Sequence, residues 1–247
     1  MALEKLESPQ VRDTVERLEE RITARFPERN LVRVVAELGE LVEEIAGTGP
    51  RLRRRLTLAR LASRILMAAL IVVAIGLFCW ALVASLDDGS VDRPDTLLPL
   101  LDSAISDIVF AGLAVFFLYS LPDRLVRTET LRLLHRLRSM AHIIDMHELS
   151  KDPERLRPEY QPTSASLPPL GMGPEELIHY LDYCAELLSM VGKAAALCAE
   201  ESRDGVVLDT VSTIEDLTVN LSRKIWQKIT IVNALAGSTG RAAQIPS

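Results

Sequence analysis

The chain has 247 residues, of which 48% are hydrophobic and 25% are charged, and its formal net charge is −6 at pH 7. A mean hydropathy of +0.17 is too low for a polytopic transporter and fits a small membrane anchor that carries a substantial water-soluble part. Aromatic residues make up only 4%, which disfavours large all-β domains and platforms for stacking nucleic-acid bases.

Residues 1–47 predict two cytoplasmic amphipathic helices. Ser8, followed by a proline, is a suitable start for the first helix, whose apolar residues recur at helical spacing from Val11 to Ile22. Asn30 is a suitable cap for the second helix, which the glycines and proline at 47–50 are expected to end. The first 20 residues are acidic and lack an apolar core, so we expect no cleavable signal peptide.

Two long apolar segments are the most informative feature of the sequence. Residues 65–86 contain no charged residue, and residues 98–121 are interrupted only by Asp102 and Asp107. About 20 helical residues, at about 1.5 Å each, cross a hydrocarbon core of about 30 Å. The sequence therefore predicts an all-α integral membrane protein, in which a two-helix transmembrane hairpin carries a cytoplasmic helical bundle.

The charges around these segments define the predicted orientation. Residues 51–64 form a basic juxtamembrane segment with six arginines and no acid, whereas the short loop at 87–97 holds four acids and one base. Positive residues stay on the cytoplasmic side of short-loop spans, which places both termini in the cytoplasm and the protein in the cell (inner) membrane. The same arginines are expected to contact membrane lipids with anionic headgroups. The candidates are Arg51, Arg53, Arg54, Arg55, Arg124 and Arg127.

The remaining sequence predicts further cytoplasmic helices. Residues 122–149 continue a helical pattern, and the proline-rich residues 150–173 predict a linker or an extended strap. Residues 174–236 carry heptad-like apolar stripes that predict an antiparallel helical hairpin of coiled-coil type, and residues 237–247 are expected to be disordered. Because neither hairpin helix buries its stripe alone, the two are expected to pack on one another, on the N-terminal helices or on other subunits. We expect a homo-oligomer, with a cytoplasmic protein partner as a further candidate.

Asp107 is the most unusual polar residue of the predicted spans. A carboxylate within hydrocarbon costs about 2–3 kcal/mol on insertion scales if it is central, and less near the interface. Ser103 lies on the same helix face, and Ser103 or Ser106 is placed to hydrogen-bond the acid. The preferred interpretation is an interfacial or structural acid. The alternative is a ring of carboxylates that attracts cations in an oligomeric pore.

Three histidines cluster in the sequence at His135, His142 and His147. His142 and Asp145 are i,i+3 neighbours and form the candidate metal pair, although no HExxH motif or paired cysteines accompany them. Histidines near a helix C-terminus also suit the helix dipole without any further role. The sequence has no phosphate-binding loop, nucleophile elbow or zinc box, so we expect neither an enzyme nor a cofactor. The acidic balance of the soluble part argues against nucleic-acid binding.

Two functions are consistent with this architecture. The first is a membrane-anchored, self-associating helical protein that acts in assembly, interaction or signalling at the cytoplasmic face. The second is a small homo-oligomeric ion channel or pore lined by the second membrane helix. The first is preferred, because an acid near the membrane interface has a structural explanation that needs no pore.

Overall fold

The computed structural model describes residues 6–87, 94–157, 159–167, 169–200, 202 and 204–242, with some side chains inside the helices left outside the description. Every regular element in these ranges is a helix, which confirms the all-α fold class. The elements are α1 (Ser8–Arg25), α2 (Leu31–Asp87), α3 (Pro94–Leu149), a 3-10 turn (Pro153–Leu156), α4 (Pro174–Ala199) and α5 (Gly205–Ala242).

The chain divides into two compact units. Unit 1 comprises Met1–Thr48 and Glu129–Ser247, and unit 2 comprises Gly49–Thr128. The boundary after Thr48 falls at the glycine- and proline-containing stretch that was expected to end the second helix. That expectation is wrong, because α2 continues through it. A proline inside a helix removes one backbone hydrogen bond at a cost of about 3 kcal/mol, and the arginines and leucines that follow are strong helix formers.

Two further boundaries differ from the sequence prediction. Pro122 lies within α3 and separates no elements, so the expected helix at 122–149 is the second half of one longer helix. At the other end of the chain, α5 continues to Ala242, well into the tail that was expected to be disordered, and residues 243–247 lie outside the described residues.

The two predicted membrane spans are not confirmed. Among the described residues, no helix meets the length and apolarity required of a membrane span.

Unit 1 is a helical bundle around one apolar core. The side chains that α1 contributes follow its predicted stripe from Val11 to Ile22. The central helix is α4, because its buried residues face almost every direction around the axis, as expected for a helix surrounded by others. The proline-rich segment after α3 is packed against this core through Leu170 and Met172, which makes it a strap and not a free linker.

The heptad stripes of α4 and α5 are buried within the chain itself. Leu188 of α4 is 0% exposed and Ile225 of α5 is 1% exposed. Each of the two helices therefore covers the apolar stripe of the other. Of the partners expected for these stripes, each helix has the other, so the stripes give no support to the homo-oligomer, which stays a prediction.

Ion pairs join other helices of unit 1. Arg21 of α1 donates two hydrogen bonds to the carboxylate of Glu186 on α4, at 2.8 and 2.9 Å. Glu44 of α2 accepts hydrogen bonds from Arg132 and Arg136 of α3. These bonds lower the pKa of the Glu44 carboxyl, with the hydrogen bond from Arg132 as the largest cause. The glutamate-rich face of α2 thus meets arginines of the neighbouring helix.

Candidate membrane surface and cationic cluster

Unit 2 differs from unit 1 in having its large apolar side chains on the outside. None of the side chains described between residues 49 and 128 is buried. Trp80 is 72% exposed and Phe110 is 70% exposed. The exposed large apolar residues of this unit are Leu58, Leu61, Ile65, Leu66, Ile71, Val72, Val73, Ile75, Trp80, Val83, Ile105, Ile108, Val109, Phe110, Leu113, Phe116, Phe117 and Tyr119.

These side chains cover more than half of the circumference of each helix and are not confined to one narrow stripe. Ile71, Val72 and Val73 are consecutive and all exposed, and at about 100° per residue they cover more than half of the circumference of α2. Ile108, Val109 and Phe110 do the same on α3. A helix that docks on one protein partner exposes a single apolar stripe, whereas a helix that is apolar all round requires an apolar environment on every side.

The predicted pore residues are only partly within the description. Ser106 is exposed. The side chains of Ser103 and Asp107 lie outside the described residues, so their interaction with one another stays a prediction. Of the described neighbours on α3, Ile105 and Ile108 are both exposed and apolar.

Likewise, only some of the predicted lipid-contacting arginines have side chains that the structure describes. Arg124 and Arg127 are exposed, and the guanidinium of Arg124 lies 5.8 Å from the centre of the Phe117 ring. This contact lets the apolar stem follow the helix surface while the charge remains accessible, as is typical of arginines at a membrane interface. The remaining candidates have side chains outside the described residues; they are Arg51, Arg53, Arg54 and Arg55.

The candidate metal pair does not extend into a larger ligand group. His142 is exposed and Asp145 is half-buried on α3. Among the described residues, no set of three or more histidine, cysteine, aspartate or glutamate side chains is arranged to hold a metal ion. His147 points elsewhere and belongs to a different cluster, which the sequence analysis did not detect.

This second site, the cationic cluster, consists of Arg29, Arg33, His147, Lys151 and Arg155. Lys151 is close enough to Arg29 and Arg155 for their charges to lower its pKa, after the larger effect of burial. Burial, followed by Lys151 and Arg33, lowers the pKa of the His147 imidazole. The cluster therefore brings together side chains from the start of α2, the end of α3 and the 3-10 turn. Residues so distant in sequence give no local motif, which explains why the cluster was missed.

Ser150 and the strap organise the cationic cluster. The ammonium of Lys151 donates to the Ser150 hydroxyl at 3.0 Å and lies 5.4 Å from the centre of the Tyr180 ring. Arg155 donates to the carbonyl of Leu167, and Arg29 donates to the carbonyl of Gly171, both at 2.8 Å. Both acceptors are neutral carbonyl oxygens, so these two hydrogen bonds orient the guanidinium groups and bring no negative charge.

A buried ion pair lies beside the cluster. Glu148 is 2% exposed, and the Lys228 Nζ atom of α5 lies 2.6 Å from its Oε1 atom. No hydrogen bond of acceptable geometry reaches that oxygen, so the contact is an electrostatic attraction at short distance. The same ammonium donates to the backbone carbonyl of Glu148 at 3.3 Å. This pair fixes α5 to the end of α3 and leaves neither group for another role.

An open groove of about 460 Å³ lies between α4 and α5. Its lining includes Ala185, Ser189, Val219 and Trp226, and the last two side chains are each 57% exposed.

Comparison with known proteins assigns no family to the chain. No family model matches it, and no curated protein or solved structure is significantly similar to it. The function is therefore argued from the surfaces themselves.

Proposed function

We propose that the chain is a membrane-anchored helical protein in which the segments 65–86 and 98–121 form the anchor and unit 1 acts in assembly, interaction or signalling at the cytoplasmic face. The observation that carries the proposal is the exposure of apolar side chains over more than half of the circumference of each helix in unit 2. Covering such a surface with lipid removes it from water at about 25 cal/mol for each Å². The sequence is apolar at the intervening positions as well.

The flanking charges support the proposed orientation. The arginine-rich segment 51–64 precedes the first anchor segment, arginines also follow the second, and acids dominate the loop between them. Unit 1 has an apolar core of its own, which suits a domain that works in water. Self-association remains part of the proposal, but its support no longer includes the heptad stripes, because these are buried within one chain.

The orientation is tested by labelling single cysteines in intact cells. In a protein whose native cysteines are replaced by alanine, Ser90→Cys should react with an impermeant thiol reagent added outside. Ser202→Cys should react only after the cells are permeabilised. The matched pair places one cysteine in each predicted compartment. Labelling of Ser202→Cys in intact cells would refute the cytoplasmic location of unit 1, and labelling of neither position after permeabilisation would indicate that the sites are covered by protein.

The pore alternative depends on Asp107, and a flux measurement distinguishes it from the anchoring proposal. Under the anchoring proposal, liposomes that contain the purified protein conduct no more cations than empty ones, and Asp107→Asn changes nothing. Cation flux that Asp107→Asn reduces, while assembly in detergent is kept, would replace the anchor with a pore, because the amide has nearly the same volume but no charge.

A further inference from the structure

One exposed face of α5, the outer face, carries two large apolar side chains that the helical bundle leaves uncovered. Val219 and Trp226 are each 57% exposed, and both line the open groove between α4 and α5. Because they are seven residues apart on a helix, they differ in direction by only about 20°. The outer face is distinct from the buried stripe that contains Leu221 and Ile225. An exposed tryptophan aligned with a second large apolar residue is typical of a protein interaction surface.

The charges of the outer face change sign along the helix. Glu215 and Asp216 precede Val219, Arg223 follows it, and all three charged side chains are exposed. Each of them points within about 60° of the direction of Val219. None of the three forms an ion pair with another side chain in the described part of the chain. The outer face is therefore acidic towards the N-terminus of α5 and basic towards its C-terminus, with both signs left unneutralised.

This order of charges makes the outer face complementary to a second copy of itself. In an antiparallel pair of helices related by a two-fold axis, two positions equally far from the axis face one another in both directions. An axis midway between residues 219 and 220 therefore places Asp216 of each copy opposite Arg223 of the other. The same axis brings the two Val219 side chains together and sets each Trp226 beside the small, exposed Ser212 of the other copy. A different protein would have to carry the reverse order of charge at the same spacing, whereas a second copy carries it by symmetry.

We propose that the outer face of α5 is the surface through which two copies of the chain associate, antiparallel and about a two-fold axis beside Val219. The inference rests on the anchoring and self-association of the proposed function and names the contact surface. From Ser212 to Trp226 the face is about 21 Å long, and one helix is about 10 Å wide, so each copy contributes a few hundred Å². A stable interface buries about 800 Å² on each partner. The dimer is therefore weak in dilute solution, and confinement of both copies to one membrane supplies the effective concentration that it needs.

The first test is disulfide cross-linking in native membranes. In a full-length protein whose native cysteines are replaced by alanine, Val219→Cys should form a covalent dimer under mild oxidation, because the two copies of this residue lie next to the axis. Lys224→Cys is the matched control. It is exposed on the same helix but points about 140° away from Val219, so it should form little or no dimer. Equal cross-linking at both positions, or a Val219→Cys product that contains another protein, would overturn the proposal.

The second test exchanges charges in the Val219→Cys background. In the dimer, Asp216→Arg alone sets two pairs of arginines against each other, and Arg223→Asp alone sets two pairs of aspartates against each other. Each variant should therefore cross-link about five- to tenfold less. A mixture of the two variants, carrying different tags, restores both pairs of opposite charge and should return the cross-link between the tags to its original level. A mixture that cross-links no better than either variant would overturn the proposal.

The interface and the anchor fail in different ways. An anchored protein in which Val219→Cys gives no dimer would refute this interface and leave the anchor intact. A protein that is absent from the membrane fraction would refute the anchor and, with it, the confinement on which the dimer depends.

Discussion

At the scale of single residues, the buried pair of Glu148 and Lys228 is the most sensitive electrostatic contact of unit 1. The carboxylate is almost fully removed from water, while the ammonium is only partly buried. A buried charge that loses its partner keeps its desolvation cost without the compensating attraction. The net stabilisation by the intact pair is therefore smaller than the loss of stability expected when one partner is removed and the other charge stays buried.

Lys228→Met is accordingly expected to destabilise the protein by about 3 kcal/mol, measured as the free energy of unfolding in urea. Adding Glu148→Gln to that variant should recover part of the loss, because the buried charge is then gone. Lys224→Met, at an exposed position of the same helix, is the control and should change stability by no more than about 0.5 kcal/mol. Equal effects at positions 224 and 228 would contradict the pairing.

The partly buried thiol of Cys198 is expected to make the stability fall at alkaline pH. Burial raises the pKa of the Cys198 thiol to about 12, and the thiol donates to the carbonyl of Ala194 at 3.7 Å. An unfolded cysteine ionises near pH 8.5. Above that value the unfolded state loses its proton while the folded state keeps it, so stability should fall as the pH rises from about 8.5 towards 12.

Cys198→Ala should reduce the slope of this loss, by less than about 1.4 kcal/mol for each pH unit. Comparing the free energies of unfolding of the two proteins between neutral pH and pH values near 10 isolates this thiol, because other titrating groups, such as Lys151, are common to both. Identical slopes would mean that the folded thiol ionises normally.

At the scale of elements, the closeness of α4 and α5 depends on one glycine. A Cβ atom added at Gly192 would lie 3.1 Å from the Thr218 Oγ1 atom. Thr218 is buried, and its hydroxyl donates to the carbonyl of Glu215 at 2.9 Å, so it is not free to move away. The pattern of apolar residues identifies two helices that pack together, but only the tertiary structure shows that Gly192 faces Thr218.

The two positions should therefore be energetically coupled. Gly192→Ala gains up to about 1 kcal/mol in helix propensity but introduces the close contact. In a Thr218→Ala background the contact is absent, so the same substitution should be more favourable there by about 0.5–1 kcal/mol. A double-mutant cycle of unfolding free energies measures the difference. Strict additivity would show that the helices separate at no cost.

At the scale of the whole molecule, the core belongs entirely to unit 1. All the buried apolar residues lie before Thr48 or after Glu129 among the described residues, and Glu44 bonded to Arg132 brings α2 and α3 together at this boundary. Unit 1 should therefore fold without unit 2. The large apolar surface of unit 2 should instead control how the protein partitions between water and membrane.

Replacing residues 49–128 with a flexible glycine–serine linker should give a protein that is helical, soluble and monomeric and that unfolds cooperatively. The reason is that none of the buried residues in the described part of the chain is removed. The full-length chain should remain in the membrane fraction. Circular dichroism, light scattering and fractionation test the three properties. A stable dimer of the shortened protein would assign self-association to unit 1, and an unfolded or aggregated one would show that the core is incomplete.

The sequence by itself determined the helical class, the stripes of α1, α4 and α5, and the asymmetry of charge around the apolar segments, because each depends on local periodicity or composition. Only the tertiary structure decided that the heptad stripes pair within one chain and that α2 runs through Pro50. It also decided that Arg29, Lys151 and Arg155 form one cationic cluster. These features depend on contacts between residues far apart in sequence, and helix periodicity specifies which face is apolar but not which neighbour covers it.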